Sequence, residues 1–349
     1  MPSVDDFETE DAYYEYLNKH YPAKTRHILM RVLNPNKTVD APATLKYRIV
    51  LPANNTMAIQ NFFVGQTYVY ITQCSGTTVI ISKCAVDQST KIVTVLNKMT
   101  LQNFGHNQIL EAFTRNSKLY FWVGCKPNTE QGGLTLQVGR IQYRPGTTVT
   151  DYTKITRLAS LSYANTSGTS FGTMNRVDAG LSSDKTKLLI AARNTDGDIQ
   201  YSIYDAETLN TLLDAKENQA SKYVSFYNNT TLLNACLFSC VQTAGNTALP
   251  NRSCQGVDLT NADSVYISGG IGSSDSSSDY HPQIGKLIKN NGAYSYSTLA
   301  TVTNPNFGPS SEIEGVHIMG DELYFAIMAH GSNKRGNTQY IYSIDKSLL

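Results

Sequence analysis

One pattern of hydrophobic and polar positions recurs five times along the chain. In each copy a short strand-like segment with one polar residue precedes an apolar run, such as LYFW at 119–122, by about seven to ten residues. The five polar residues are Gln60, Glu111, Asp178, Asp258 and Glu314. Short strands that recur at intervals of about fifty to eighty residues are typical of β-propeller blades. The pattern therefore predicts an all-β chain that folds as a five-bladed β-propeller.

Two segments depart from the strand pattern. Residues 6–18 carry acidic side chains in their first turn and Tyr at helical spacing, which predicts a short N-terminal helix. Residues 205–217 have apolar positions at helical spacing and predict a small inserted helix between the third and fourth blades. We therefore expect an N-terminal helical segment over 1–22 and a single β-propeller domain over 23–349, because blades bury their faces only against neighbouring blades.

Turn residues and an N-terminal strand support this architecture. Asp196-Gly197 and Asn290-Asn291-Gly292 each separate two alternating strands and are typical of tight hairpins. The strand-like segments 28–33 and 45–51 precede the first repeat. We expect one of them to pair with residues 341–344 of the last blade, which would close the ring and remove an open sheet edge.

Composition and charge exclude some classes of function. The net charge is +1, only 16% of the 349 residues are charged, and no basic stripe is present, which argues against nucleic-acid binding. A weakly charged surface with 22 Tyr suits sugars or neutral polymers, and equally suits any secreted β-protein. No apolar run approaches the ~18 residues of a transmembrane helix. The acidic N-terminus lacks the features of a Sec signal, so the route of export stays open.

Cysteine and histidine spacing predicts neither a metal site nor a cofactor. The six Cys form no CxxC pair, and the six His show no HExxH or related spacing. A Cys240–Cys254 bridge is geometrically conceivable, but small buried thiols without a redox role are the favoured interpretation.

Catalytic motifs are weak. The segment GTSFG at 168–172 matches GxSxG, but a polar loop precedes it and a strand is expected after it, whereas a serine-hydrolase elbow joins a strand to a helix. Glu111 and Glu314 could approach each other across a propeller channel as a glycosidase pair, although channel hydration explains them as well. The sequence leaves an enzymatic role open and favours a non-enzymatic one.

The repeat itself predicts the best candidate site. Gln60, Gln108, Arg176, Gln255 and Glu314 occupy similar places at the first strands of their repeats, and Glu111 lies nearby. If these are inner strands, their side chains form a polar ring near the channel mouth, where propeller loops converge. Two roles are open for such a ring: it binds a ligand, or it only lines a water-filled channel.

Several segments resemble the helveticin J-like class III bacteriocins. They occur in the family's order between about residues 157 and 330, and are RLASLSY (157–163), AGLSSDKTKLLIA (179–191), YDAETLN (204–210), QGVDL (255–259), VYIS (265–268) and SEIEGV (311–316). The resemblance implies a heat-labile antibacterial protein that lactic acid bacteria release against related strains.

Three functions follow as hypotheses. The first is a secreted or cell-surface antibacterial protein that binds a cell-wall or other envelope polymer of its target through the channel mouth. The second is a non-killing glycan-binding or adhesion protein with the same scaffold. The third is a glycan-cleaving enzyme that uses Glu111 and Glu314.

Overall fold

A computed structural model describes residues 19–20, 38–244, 249–250, 253–270, 282–307, 311–329 and 336–349. The N-terminal helix predicted over 6–18 and the strand predicted over 28–33 lie outside these residues. The domain boundary near residue 22 therefore stays a prediction. Within the described ranges, no helix is long and apolar enough to span a bilayer.

The described chain is built almost entirely from β-strands. In chain order they are β1 (Thr38–Pro42), β2 (Thr44–Val50), β3 (Ile59–Val64), β4 (Tyr68–Ser75), β5 (Thr78–Val86), β6 (Ile92–Leu101), β7 (Leu110–Arg115), β8 (Lys118–Pro127), β9 (Thr135–Gln142), β10 (Thr148–Val149), β11 (Thr156–Ala159), β12 (Met174–Leu181), β13 (Lys187–Asn194), β14 (Ile199–Asp205), β15 (Tyr223–Ser225), β16 (Cys236–Gln242), β17 (Gly256–Leu259), β18 (Val265–Gly269), β19 (Gln283–Asn290), β20 (Ala293–Thr303), β21 (Ser311–Met319), β22 (Glu322–Ala329) and β23 (Thr338–Asp345). Two α-helices lie wholly within the described residues, α1 (Ala206–Asp214) and α2 (Thr230–Ala235).

These strands form antiparallel groups of four. The groups are β3-β4-β5-β6, β7-β8-β9-β11, β12-β13-β14-β16, β17-β18-β19-β20 and β21-β22-β23-β2, here called the first to fifth strand groups. Each group begins with the strand that carries the repeated polar residue. Four antiparallel strands in a meander are the unit of a propeller blade, so the prediction of an all-β, propeller-like fold is confirmed.

The core lies between neighbouring strand groups. Five clusters of buried apolar side chains join the first group to the second, the second to the third, the third to the fourth, the fourth to the fifth and the fifth to the first. Trp122 belongs to the cluster between the second and third groups and is completely buried. Because both faces of these strands are covered, their apolar residues occur in continuous runs rather than in strict alternation.

The ring is closed by an N-terminal strand. β2 pairs antiparallel with β23 and parallel with β6, and so links the fifth group to the first. The sequence allows either 28–33 or 45–51 to close the ring. Among the described residues, the segment 45–51, most of which lies in β2, pairs with the last strand group. The two predicted hairpin turns are present, with Gly197 at φ 89° and Asn291 and Gly292 at φ 49° and 78°.

The predicted helix exists as α1, but its predicted place is wrong. It follows β14 and precedes β16, so it is inserted within the third strand group and not between the third and fourth. The insertion also contains β15, which pairs in parallel with β11 of the second group. Sequence periodicity identifies the helix but not which strand follows it in the sheet.

Candidate functional site

The first strands of the five groups, β3, β7, β12, β17 and β21, contact one another in a closed series. They are called the inner strands below, and the space that they enclose is called the channel. Their backbones approach closely at glycines. A Cβ on Gly256 of β17 would lie 2.7 Å from the Cα of Gly315 on β21, and Gly315 itself has φ 70°. Only a residue without a side chain fits this approach. The channel therefore contains backbone as well as polar side chains.

Four side chains form one hydrogen-bonded chain across the channel, and with Asp178 they are called the polar network. Arg176 Nη2 donates to Gln108 Oε1, and Gln108 Nε2 donates to Gln255 Oε1. Gln255 Nε2 in turn donates to Glu312 Oε1. Arg176 also forms an ion pair with Asp178, with 2.8 Å between Nη2 and Oδ1. The network thus joins residues of the second, third, fourth and fifth strand groups.

The structure brings together part of the predicted ring. Gln108, Arg176 and Gln255 meet directly, although Gln108 and Gln255 immediately precede β7 and β17 and do not belong to them. Gln60 and Glu314 are buried on β3 and β21. The predicted ring does not include Asp178, although Asp178 is one of the five polar residues of the repeat, and it does not include Glu312.

An ion pair with Asp178 stabilises the charge of Arg176 in the polar network. Burial alone lowers the pKa of Arg176, but the Asp178 carboxylate, aided by Glu314, outweighs this effect, and the net pKa is raised. The pKa of the nearby His106 is instead lowered, first by burial and then by the charge of Arg176. At neutral pH the network therefore contains a cationic Arg176 facing a neutral imidazole.

A second group of polar side chains, the buried cluster, consists of Glu111 on β7, Asp258 on β17 and His317 on β21. His317 Nδ1 lies 3.7 Å from Glu111 Oε1 and 3.9 Å from Asp258 Oδ2. All three side chains are buried, and one potential ligand atom from each lies within 4.8 Å of the other two. The spacing of Cys and His along the sequence does not indicate this grouping, and the prediction that the chain has no metal site stays a prediction.

A register shift in β21 places His317 in this cluster. The register between β21 and β22 shifts between Glu314 and His317. Strict alternation would place these two side chains on opposite faces of the strand, because successive side chains point to opposite sides. β21 has one extra residue here relative to β22, and such an extra residue places the side chains of Glu314 and His317 on the same face. This is the reason that the sequence pattern alone treats His317 as an isolated histidine.

Burial dominates the electrostatics of the cluster. Burial, and then the Asp258 carboxylate, raise the pKa of Glu111 well above its usual range. Burial likewise raises the pKa of Asp258 to about 7, against the N–H of Ile318, which donates to Asp258 Oδ2 at 2.6 Å. Burial lowers the pKa of His317 to about 3, so its imidazole is neutral. Glu111 is only 2% exposed, which separates it from any bulky sugar outside the channel.

An open cleft of about 750 Å³, here called the aromatic cleft, lies at the opposite ends of the inner strands from the polar network. Phe63 and Phe113 come from the ends of β3 and β7, and Tyr68 begins β4. Lys83 Nζ lies 3.6 Å from the centre of the Tyr68 ring. The residues of this cleft share no sequence motif that would predict it.

Two other possibilities that the sequence raises are a serine nucleophile at Ser170 and a disulfide between Cys240 and Cys254. Ser170 lies in an exposed loop, and the next regular element is strand β12 and not a helix, so the geometry of a nucleophile elbow is lacking. All six cysteines are free, including Cys240 and Cys254. Cys254 Sγ instead lies 3.6 Å from Asp178 Oδ2, beside the polar network.

Comparison with known proteins identifies relatives of this chain. The profile of the family described as bacteriocin helveticin-J matches residues 39–347. Bacteriocin helveticin-J of Lactobacillus helveticus is 26% identical over 312 residues, which cover 80% of this chain and 89% of that protein.

Solved structures show a similar fold. The tail fibre of Staphylococcus aureus phage P68 matches with a TM-score of 0.54 at 14% identity, over 96% of this chain and 56% of the fibre chain, so this chain spans little more than half of that relative. An exo-β-1,3-galactanase of Phanerochaete chrysosporium has a TM-score of 0.47 at 11% identity, over 86% of this chain and 64% of the enzyme. The family match alone covers most of the sequence, and the chain belongs to the bacteriocin helveticin-J family.

Proposed function

We propose that this chain is a secreted antibacterial protein that binds an envelope polymer of bacteria related to its producer, a lactic acid bacterium. The observation that carries the proposal is the family match over residues 39–347. The relative from Lactobacillus helveticus is named as a bacteriocin, and its similarity extends over most of both chains.

The proposed scaffold is a five-bladed propeller that forms one domain from residue 23 onward. Five strand groups, five intervening apolar clusters and closure by β2 support that blade count. In such a ring, side chains from different blades converge at the channel ends and can bind one ligand together.

The proposed binding site is the channel end that carries the polar network, with Gln60 and Glu314 beside it. Arg176 and Gln255 are partly exposed and are each hydrogen-bonded to other side chains of the network. Amide, guanidinium and carboxylate groups supply the donors and acceptors that hydroxyl-rich polymers need. A ligand would replace hydrogen bonds within the network by hydrogen bonds to itself.

The test compares the polar network with the aromatic cleft. We expect Gln255→Ala and Arg176→Ala each to weaken binding to purified cell walls at least tenfold, about 1.4 kcal/mol, and to lower killing in parallel. Tyr68→Ala, which alters the cleft, is the matched control and should retain both activities. Melting temperatures within a few degrees of the parent would show that the variants fold.

The pattern of losses decides the location and the function. If Tyr68→Ala alone abolishes wall binding, the aromatic cleft is the site and the network assignment is wrong. Wall binding without growth inhibition of any related strain would favour the adhesion function over the antibacterial one.

A further inference from the structure

We propose that Glu111, Asp258 and His317 bind one divalent transition-metal ion that joins three inner strands inside the channel. The ion would be of the Zn²⁺ or Mn²⁺ class. This site is separate from the polar network and does not depend on the proposed antibacterial function.

The hydrogen bonds of Asn61 determine which nitrogen of His317 carries a proton. Asn61 Nδ2 donates to the carbonyl oxygen of Gln108 at 2.8 Å, which fixes the orientation of the amide. Asn61 Oδ1 accepts the N–H of Phe62 at 2.7 Å and lies 2.7 Å from His317 Nε2. Because this oxygen can only accept, Nε2 carries the proton and Nδ1 presents a lone pair.

That lone pair points toward two carboxylates and not toward a donor. Glu111 Oε1 and Asp258 Oδ2 lie 3.7 and 3.9 Å from His317 Nδ1. Glu111 Oε1 is completely buried and has no hydrogen-bond partner. Among the described residues, no Lys or Arg forms an ion pair with Glu111 or Asp258. The charge of Lys185 acts on all three residues from a distance, without an ion pair to either carboxylate. Three acceptor atoms that face one another in this way favour a positive centre between them.

The distances suit a metal ion after a small contraction. For metal–ligand bonds of about 2.0–2.2 Å, neighbouring ligand atoms of a tetrahedral site lie about 3.3–3.6 Å apart. The two separations from His317 Nδ1 exceed this range by a few tenths of an ångström, and the ligand oxygens of Glu111 and Asp258 lie within 4.8 Å of each other. An imidazole that donates its other N–H to an amide oxygen is also the common arrangement of metal-binding histidines.

The ligand types determine the class of ion. Two carboxylates alone would suit Ca²⁺ or Mg²⁺, whereas a neutral imidazole favours a transition metal. Backbone N–H groups hold the Asp258 carboxylate in place, since Leu259 N donates to Oδ1 at 2.8 Å and Ile318 N donates to Oδ2 at 2.6 Å. The competing occupant is a single proton shared by Glu111 and Asp258.

The experiment measures metal content and thermal stability on the full chain. The protein is stripped with EDTA, incubated separately with Zn²⁺ and Mn²⁺, desalted, and analysed by inductively coupled plasma mass spectrometry. We expect about one ion per chain and a melting temperature about 4 °C or more above that of the stripped protein. Glu111→Gln should bind less than a tenth of the ion. Glu322→Gln, on β22 outside the cluster, should bind as the parent does.

The result that overturns the proposal does not depend on the variants folding. If the unmodified protein takes up no ion after stripping, and neither ion raises its melting temperature, the cluster is not a metal site. A Glu111→Gln variant that melts above the parent would then identify the shared proton as the occupant.

Discussion

At the scale of single residues, Asp263 shows how one carboxylate connects two strand groups. It lies in the turn between β17 and β18 and pairs with Lys187 of β13 at 2.5 Å and with Lys289 of β19 at 2.6 Å. Its backbone has φ 63°, a conformation that Asn and Asp tolerate better than most residues. Burial alone would raise the pKa of Asp263, but the hydrogen bonds from Lys187 and Lys289 outweigh it, and the net pKa is lowered.

This lowered pKa predicts a pH-dependent contribution to stability. A depressed folded-state pKa stabilises the fold above the unfolded value of about 3.9, and this stabilisation is lost as the pH falls through the folded-state pKa. We expect Asp263→Asn to lower the free energy of unfolding by about 1 kcal/mol at pH 7, and by much less near pH 3. Urea unfolding at both pH values measures the difference. Asp196→Asn, at an exposed hairpin turn, is the control, and an equal loss at both pH values for Asp263→Asn would contradict the ion-pair explanation.

At the scale of elements, the insertion in the third strand group depends on how α1 begins. Asp205 Oδ1 accepts the N–H of Thr208 at 2.7 Å and so caps the helix. Leu209 and Leu213 then face the apolar cluster between the second and third groups. Arg140 of β9 is 1% exposed at its side chain and pairs with Asp214 at 2.7 Å. The cap, the apolar face and the ion pair together hold the insertion against the second group.

The cap predicts a graded loss of stability. We expect Asp205→Ala to lower the free energy of unfolding by about 1 kcal/mol, because an N-terminal amide of α1 loses its acceptor. Asp205→Asn keeps an acceptor oxygen and should retain most of the stability. Chemical denaturation of the three proteins measures the effect. If Asn and Ala were equally destabilising, the cap would not be the reason.

At the scale of the whole molecule, stability depends on closing the ring. β2 supplies the fourth strand of the fifth group, and Ile49 and Leu51 are buried in the cluster between the fifth and first groups. Without β2, the edge of β23 would be unpaired, β6 would keep only its short pairing with β10 on that side, and two apolar surfaces would be exposed to water.

Deletion of the closing strand tests this dependence. We expect a chain that begins at residue 52 to lose cooperative thermal unfolding and to aggregate in size-exclusion chromatography. The deletion also removes β1, which pairs in parallel with β20, so a chain that begins at residue 43 and keeps β2 is the control. Cooperative melting of the shorter chain at the parental temperature would show that closure is dispensable.

The sequence by itself determined the features that depend on neighbouring residues. Strand periodicity, the two hairpin turns and the amphipathic α1 are encoded within short segments, so the propeller-like architecture could be predicted from them, and segments that resemble the family indicated the family. Only the tertiary structure decided which polar side chains meet. Glu111, Asp258 and His317 come from three distant strands, and a register shift in β21 brings His317 to the other two. A local sequence pattern cannot predict that these three side chains come together, because strand pairing and strand irregularities depend on contacts between segments that are remote in the chain.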